Sequence, residues 1–162
     1  MLVRKTLMSD LESVLEIYEY ARSQMKLKGN PNQWKDNNPR REIIIEDISN
    51  CNSYVVTKND KIVGVFSFII GPDSTYQKID GSWLNDKPYG TIHRLASLGV
   101  EKGIFKTCLD FCESKISNIK VDTHHDNLIM QHLITKHGFT LCGIIYVADG
   151  SKRLAYQKEI KK

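Results

Sequence analysis

Apolar positions follow two rhythms along this chain. Where they recur every three or four residues they predict a helix, and where they alternate between turn residues they predict a strand. Residues 2–6 read as a first strand. Ser9-Asp10-Leu11-Glu12 has capping-box spacing, and Leu11, Val14, Leu15, Tyr18, Ala21 and Met25 then form one helical stripe. Gly29-Asn30-Pro31 ends that helix, and a polar loop follows that carries Trp34. Asn38-Pro39 starts a second helix with proline at its first position, and Ile44, Ile45 and Ile48 supply the apolar face. Ser53–Lys58 and Lys61–Ile70 are β-rich runs joined by Asn59-Asp60, a tight-turn pair, and Gly71-Pro72-Asp73 breaks the second run. Between residues 74 and 89 the pattern weakens. It predicts one short strand near residues 76–79, then a loop with Trp83.

The second half is clearer. A strand over residues 91–97 (Thr91-Ile92-His93-Arg94-Leu95-Ala96-Ser97) leads through a short link to Gly103. Gly103 opens a helix whose apolar positions are Ile104, Phe105, Cys108, Leu109, Cys112 and Ile116. Another strand contains Val121-Asp122-Thr123, and alternation sets Asp122 apart from Ile119, Val121 and Thr123. Asn127 precedes a helix with Met130 and Leu133, which closes at Gly138-Phe139. Residues 140–147 and 154–158 flank Asp149-Gly150, a hairpin signal. Helices before a meander, then strand-helix-strand-helix, then a hairpin predict a mixed α/β fold, one sheet with helices on both faces. No repeat or linker divides residues 1–162, and 162 residues at 41% hydrophobic content suit a single domain with one well-buried core.

Charge narrows the function classes. Twenty-three basic and 19 acidic residues leave a formal charge of +4, spread without a long basic run. That balance suits an anionic ligand and argues against nucleic acid as partner. Cys51, Cys108, Cys112 and Cys142 form no CxxC pair and no ligand-like spacing with histidine, so reduced thiols and no metal site are expected. No leader-like segment and no apolar run near the ~20 residues of a membrane helix is found, and a cytoplasmic protein, monomer or homodimer, is expected.

The turn into the Gly103 helix is the strongest chemical feature. A helix N-terminus offers unpaired N–H groups and the positive end of a dipole, which together hold a diphosphate with few side chains. The segment from Ile92 to Phe139 resembles the GNAT family of acyl-CoA-dependent N-acetyltransferases. That family's pyrophosphate loop has the form Gln/Arg-x-x-Gly-x-Gly/Ala. The matching window is Val100-Glu101-Lys102-Gly103-Ile104-Phe105, in which Gly103 fits while Val100 and Phe105 depart from it. Val121-Asp122-Thr123, Asn127, Met130, Leu133 and Gly138-Phe139 follow the family's strand, asparagine, helix and Gly-Phe ending, and the element order is similar over nearly the whole chain.

The resemblance implies a GNAT fold: a central, mostly antiparallel sheet with a splayed strand pair. It implies transfer of an acetyl group from acetyl-CoA, as co-substrate and without metal, to a primary amine by direct attack in a ternary complex. Leu95, Ala96 and Ser97 would bind the pantetheine arm as an added strand. Amides of Val100, Glu101, Lys102, Gly103, Ile104, Phe105 and Lys106 would face the diphosphate, with Asn127 beside the arm. Asp122 occupies the position of a catalytic glutamate in some members, and His93 on the cofactor strand is the second candidate base, a water relay being a third route. Ile134 stands where the family commonly has a tyrosine acid, and Tyr146 on the next strand is a candidate substitute. Trp34, Tyr76 and Trp83 fall in segments that the family places over the acceptor cleft, which suggests a small-molecule acceptor. A non-catalytic acyl-CoA-binding module is the rival reading, motivated by Ile134 and Phe105.

Overall fold

The chain folds into eight strands and four α-helices, in a computed structural model that describes residues 1–161. In order these are β1 (Leu2–Lys5), α1 (Leu11–Leu27), α2 (Arg41–Ser49), β2 (Ser53–Lys58), β3 (Lys61–Ile70), β4 (Asp80–Gly81), β5 (Gly90–Ser97), α3 (Ile104–Glu113), β6 (Asn118–Thr123), α4 (Leu128–Lys136), β7 (Thr140–Tyr146) and β8 (Lys152–Glu159). All strands join one sheet in the order β1-β2-β3-β5-β6-β8-β7-β4. Every neighbouring pair is antiparallel except β5–β6, which is parallel.

Alternation along the strands builds a core on each face. Val55, Val65 and Ala96 pack with Leu11, Val14, Ile17 and Ile44 beneath α1 and α2. Val56, Phe66, Ile92 and Val121 pack with Phe105, Cys108, Leu109 and Ile134 beneath α3 and α4. The Asn59-Asp60 hairpin forms as expected, with both residues at positive φ (52° and 64°), the requirement of a type I′ turn.

Four local expectations are corrected. Ser9 does not cap α1: a 3-10 turn, Met8–Asp10, intervenes, and the Asp10 carboxylate accepts the Leu7 N–H at 2.8 Å while pairing with Arg4 at 2.7 Å. The second helix begins at Arg41 rather than Pro39, which follows a cis peptide bond. In place of a strand at residues 76–79 there is a 3-10 turn at Ser74–Tyr76, capped by Asp73, and a two-residue strand at Asp80–Gly81. Ile116 lies beyond the end of α3. No helix among the described residues is long and apolar enough to cross a membrane.

The parallel pair positions the site. Only Gly90↔Ile119 and Thr91↔Lys120 are in register, after which β5 and β6 diverge. At the root of the pair the Phe68 ring lies so close to Gly90 that an added Cβ would sit 2.3 Å from Phe68 Cζ. Glycine there lets the ring pass under the strand.

Candidate active site

A bulge in β5 opens the gap between the parallel strands. Pairing with β3 shifts register between Val65↔Ala96 and Ser67↔His93, so Arg94 and Leu95 together oppose Phe66. Arg94 adopts φ 51°, a left-handed conformation that costs a non-glycine residue roughly 1–2 kcal/mol. Its anchors come from the helical layer. Arg94 Nε and Nη2 donate to the Asp47 carboxylate at 2.7 and 2.8 Å, and the Arg94 carbonyl accepts the Tyr18 hydroxyl at 2.7 Å. Asp47 on α2 also accepts the Ser67 hydroxyl at 2.6 Å. A bulged strand bends and twists, and here it bends away from β6.

On one side of the gap lies a groove of about 790 Å³, walled by Leu95, Ala96 and Ser97 of β5, the start of α3, the start of α4 and the C-terminal half of α1. Gly103 caps α3 at φ 81°, and a Cβ there would meet nothing nearer than Met1 Cε at 3.8 Å, so the approach to the helix end is open. The first intrahelical bond runs from Thr107 N–H to the Gly103 carbonyl at 3.0 Å, which leaves the amides of Ile104, Phe105 and Lys106 without helical partners. The Phe105 ring is buried in the core against His137, so it does not cover the backbone from the groove's helix end. Glu101 and Lys106 line the groove but pair with Lys58 and Asp110, while Val100 (68% exposed) and Lys102 lie outside its wall. Asn127 caps α4, accepting the Met130 N–H at 3.0 Å, and donates to the Gln33 side chain at 3.0 Å.

On the other side a cavity of about 310 Å³ is walled by Trp34, Thr75, His93, Asp122 and Arg153. Leu95, Phe105, Asn127 and Met130 belong to both walls, so groove and cavity meet at the splay. His93 Nε2 lies 2.7 Å from Asp73 Oδ2. That contact holds the Asp73 carboxyl below the usual carboxylate range, helped by Thr75 and opposed by burial. Its contribution to stability is present above the unfolded carboxylate value and disappears as pH falls through the lower folded value. His93 Nδ1 has no hydrogen-bond partner among the described residues. The buried Tyr76 hydroxyl donates to Asp122 Oδ2 at 2.5 Å, and burial followed by the Asp122 charge holds that phenol well above its ordinary value.

No family model matches the chain, and no curated protein does. Solved structures do. A GNAT-family acetyltransferase from Streptococcus agalactiae is 30% identical over 99% of this chain and 96% of that one, with a TM-score of 0.90. The chain belongs to the GNAT family. A candidate acetyltransferase from Staphylococcus aureus is 28% identical over 99% of this chain and 100% of that one, with a TM-score of 0.72. A Salmonella typhimurium protein solved with its cofactor acetyl-CoA shares the fold at 14% identity, over 99% and 94% of the two chains, with a TM-score of 0.65.

For a GNAT chain, some predicted site residues do not line the splay, although Tyr76 reaches it through its bond to Asp122. Trp83 and Tyr76 are in neither cavity wall. They pack with Tyr89, Ile145 and Ala155, the Trp83 indole donating to the Tyr76 carbonyl at 3.0 Å and lying 3.9 Å from the Lys120 ammonium. Trp34 does line the cavity and packs edge-on to Tyr18 at 5.7 Å. Ile134 is fully buried in the α3–α4 core, and the Tyr146 hydroxyl donates to Asp80 at 2.6 Å at the sheet edge, so neither supplies an acid at the splay. His124, His125 and Asp126 form the single candidate metal cluster among the described residues, and burial leads the causes lowering His124. Asp47, Asp73, Arg94 and Arg153 were not legible as site residues. Asp47 alone left a signal, a carboxylate three residues after Ile44 on the apolar face of α2.

Proposed function

We propose that this GNAT protein transfers the acetyl group of acetyl-CoA to the nitrogen of a primary amine by direct attack while both are bound. The observation that carries the reading is the meeting of groove and cavity at the splayed β5–β6 pair, with main-chain donors on one side and titratable side chains on the other. The β5 edge at Leu95–Ala96–Ser97 accepts the pantetheine arm as a strand would be accepted. The free amides of Ile104, Phe105 and Lys106 face the diphosphate. The Leu95 main chain, at the bulge and in both walls, is assigned to the oxyanion.

Proton transfer falls to His93. The His93 ring lines the cavity with Nδ1 open among the described residues, whereas the Asp122 carboxylate already accepts the Tyr76 hydroxyl. Asp73 orients the ring and stabilises the imidazolium that forms, leaving Nδ1 to take the ammonium proton. Asp122, first choice from sequence, is then the anionic partner of the incoming ammonium, fixed by Tyr76. As the nitrogen–carbon bond forms and the carbon–sulfur bond breaks, the electron pair leaves on sulfur. A thiol with a pKa of ~8.5 departs as thiolate without a tyrosine acid. The first ammonium proton passes from His93 to water before attack, and the second, lost from the nitrogen of the adduct, passes through His93 to the thiolate. The 310 Å³ cavity favours a small acceptor over a protein terminus. Four free cysteines fit a reducing compartment, the cytoplasm.

Thiol release from acetyl-CoA across a panel of primary amines tests the reading. Binding of acetyl-CoA without release on any amine favours the non-catalytic module. Replacing Gly103 by valine forces a β-branched residue to positive φ beside the diphosphate amides. Losing one charge-assisted hydrogen bond there weakens CoA binding by about 10- to 100-fold, measured by calorimetry. Unaltered affinity would put the phosphates elsewhere.

A further inference from the structure

Arg153 is a charged side chain in the wall of the smaller cavity to which the transfer reaction gives no task. It is 6% exposed, and it lies in the cavity wall on β8. Its partners are all neutral. Nη1 donates to the Ser151 hydroxyl at 3.1 Å and the Lys152 carbonyl at 2.9 Å, and Nη2 donates to the Gln33 carbonyl at 3.0 Å. No carboxylate of the described residues comes within 4.0 Å of the guanidinium. A guanidinium carries five N–H donors, so Nε–H and one Nη2–H remain without partners among the described residues.

Buried charges are normally paired, because removing an ion from water is costly unless an opposite charge meets it. Burial lowers the Arg153 guanidinium, and Asp122 and Asp149 oppose that effect from a distance. Register explains the relation to Asp122. Asp122 pairs with Ala155 across β6 and β8, and Arg153 is two residues along β8 on the same face. The two are therefore diagonal neighbours, with Cα atoms typically ~7–8 Å apart in such pairs. One cavity wall thus presents a carboxylate and, beside it but not touching it, a cation with open donors.

Resting on the transferase reading, we infer that the acceptor carries a carboxylate beside its amine, as a free amino acid does: the carboxylate docks on Arg153 and the ammonium faces Asp122 and His93. A two-point grip of this kind fixes the nitrogen at the splay, and a guanidinium reads a planar carboxylate better than an ammonium would. Amines without the acid leave Arg153 buried and unpaired, so they are discriminated against.

The test pairs free amino acids with their primary amides as acceptors. Thiol release gives kcat/KM, and the rise in melting temperature with CoA present gives binding independently of turnover. For at least one pair the amino acid is favoured by about 10- to 100-fold, the range of a charge-assisted hydrogen bond. Arg153→Met removes that preference, Arg153→Lys retains part of it, and CoA affinity in both variants reports an intact fold. Equal use of acid and amide, or a preference that survives Arg153→Met, overturns the inference and leaves acetyl transfer standing. Amino acids that bind selectively without thiol release uphold the inference and overturn the transferase reading. No selective binding and no release overturns both.

Discussion

His93→Ala is expected to lower kcat about 10²- to 10⁴-fold, the range lost with a general base, while CoA affinity stays near wild type. The expectation rests on three features: the ring lines the cavity at the splay, Asp73 holds its Nε2 at 2.7 Å, and Nδ1 has no partner among the described residues. Asp73→Asn keeps a hydrogen-bonding side chain but removes the charge that stabilises the imidazolium, so it should slow the enzyme less than His93→Ala. Asp122→Asn separates the roles. As ammonium partner, Asp122 affects the acceptor KM first, and a base would affect kcat alone. Steady-state kinetics on the three variants, with CoA affinity measured in parallel, distinguish these cases. Full turnover in His93→Ala with collapse in Asp122→Asn would exchange the two assignments.

Much of the frame was legible because it is written locally. The Asn59-Asp60 turn requires positive φ at both residues, and those residue types tolerate it. The α3 stripe of Ile104, Phe105, Cys108, Leu109 and Cys112 is buried as its spacing predicts. Period-two logic also set Asp122 apart from Ile119, Val121 and Thr123, and it alone of the four is not fully buried. The site's shape was illegible for a physical reason. A bulge at Arg94 depends on Asp47, 47 residues earlier, and on Tyr18, 76 residues earlier. No local pattern records such pairings. Trp83 shows the same limit: an aromatic in a polar segment reads as a loop anchor or a ligand platform until its neighbours are known. Its indole sits on Tyr76 and Lys120, packed against a small core cluster.

Asp47 is the second position at which a large effect is expected. Asp47→Ala removes the carboxylate that accepts two bonds from Arg94 and one from Ser67. Breaking a buried ion pair by deleting one partner costs about 3–5 kcal/mol, and the lower figure applies because the Arg94 side chain keeps 23% of its exposure. Denaturant unfolding measures this loss. The functional consequence is separate. Without its anchor Arg94 can leave the left-handed region, regain the roughly 1–2 kcal/mol it costs, and let β5 relax toward a regular ladder. The splay then narrows, so kcat and CoA affinity fall together, whereas His93→Ala spares affinity. An Arg94→Gly background provides the control. Glycine takes positive φ without penalty, so Asp47→Ala should harm CoA binding less there than in the native chain. If Asp47→Ala is as stable as the native protein and binds CoA equally well, the bulge is held by β3 and β5 alone, and α2 has no part in opening the site.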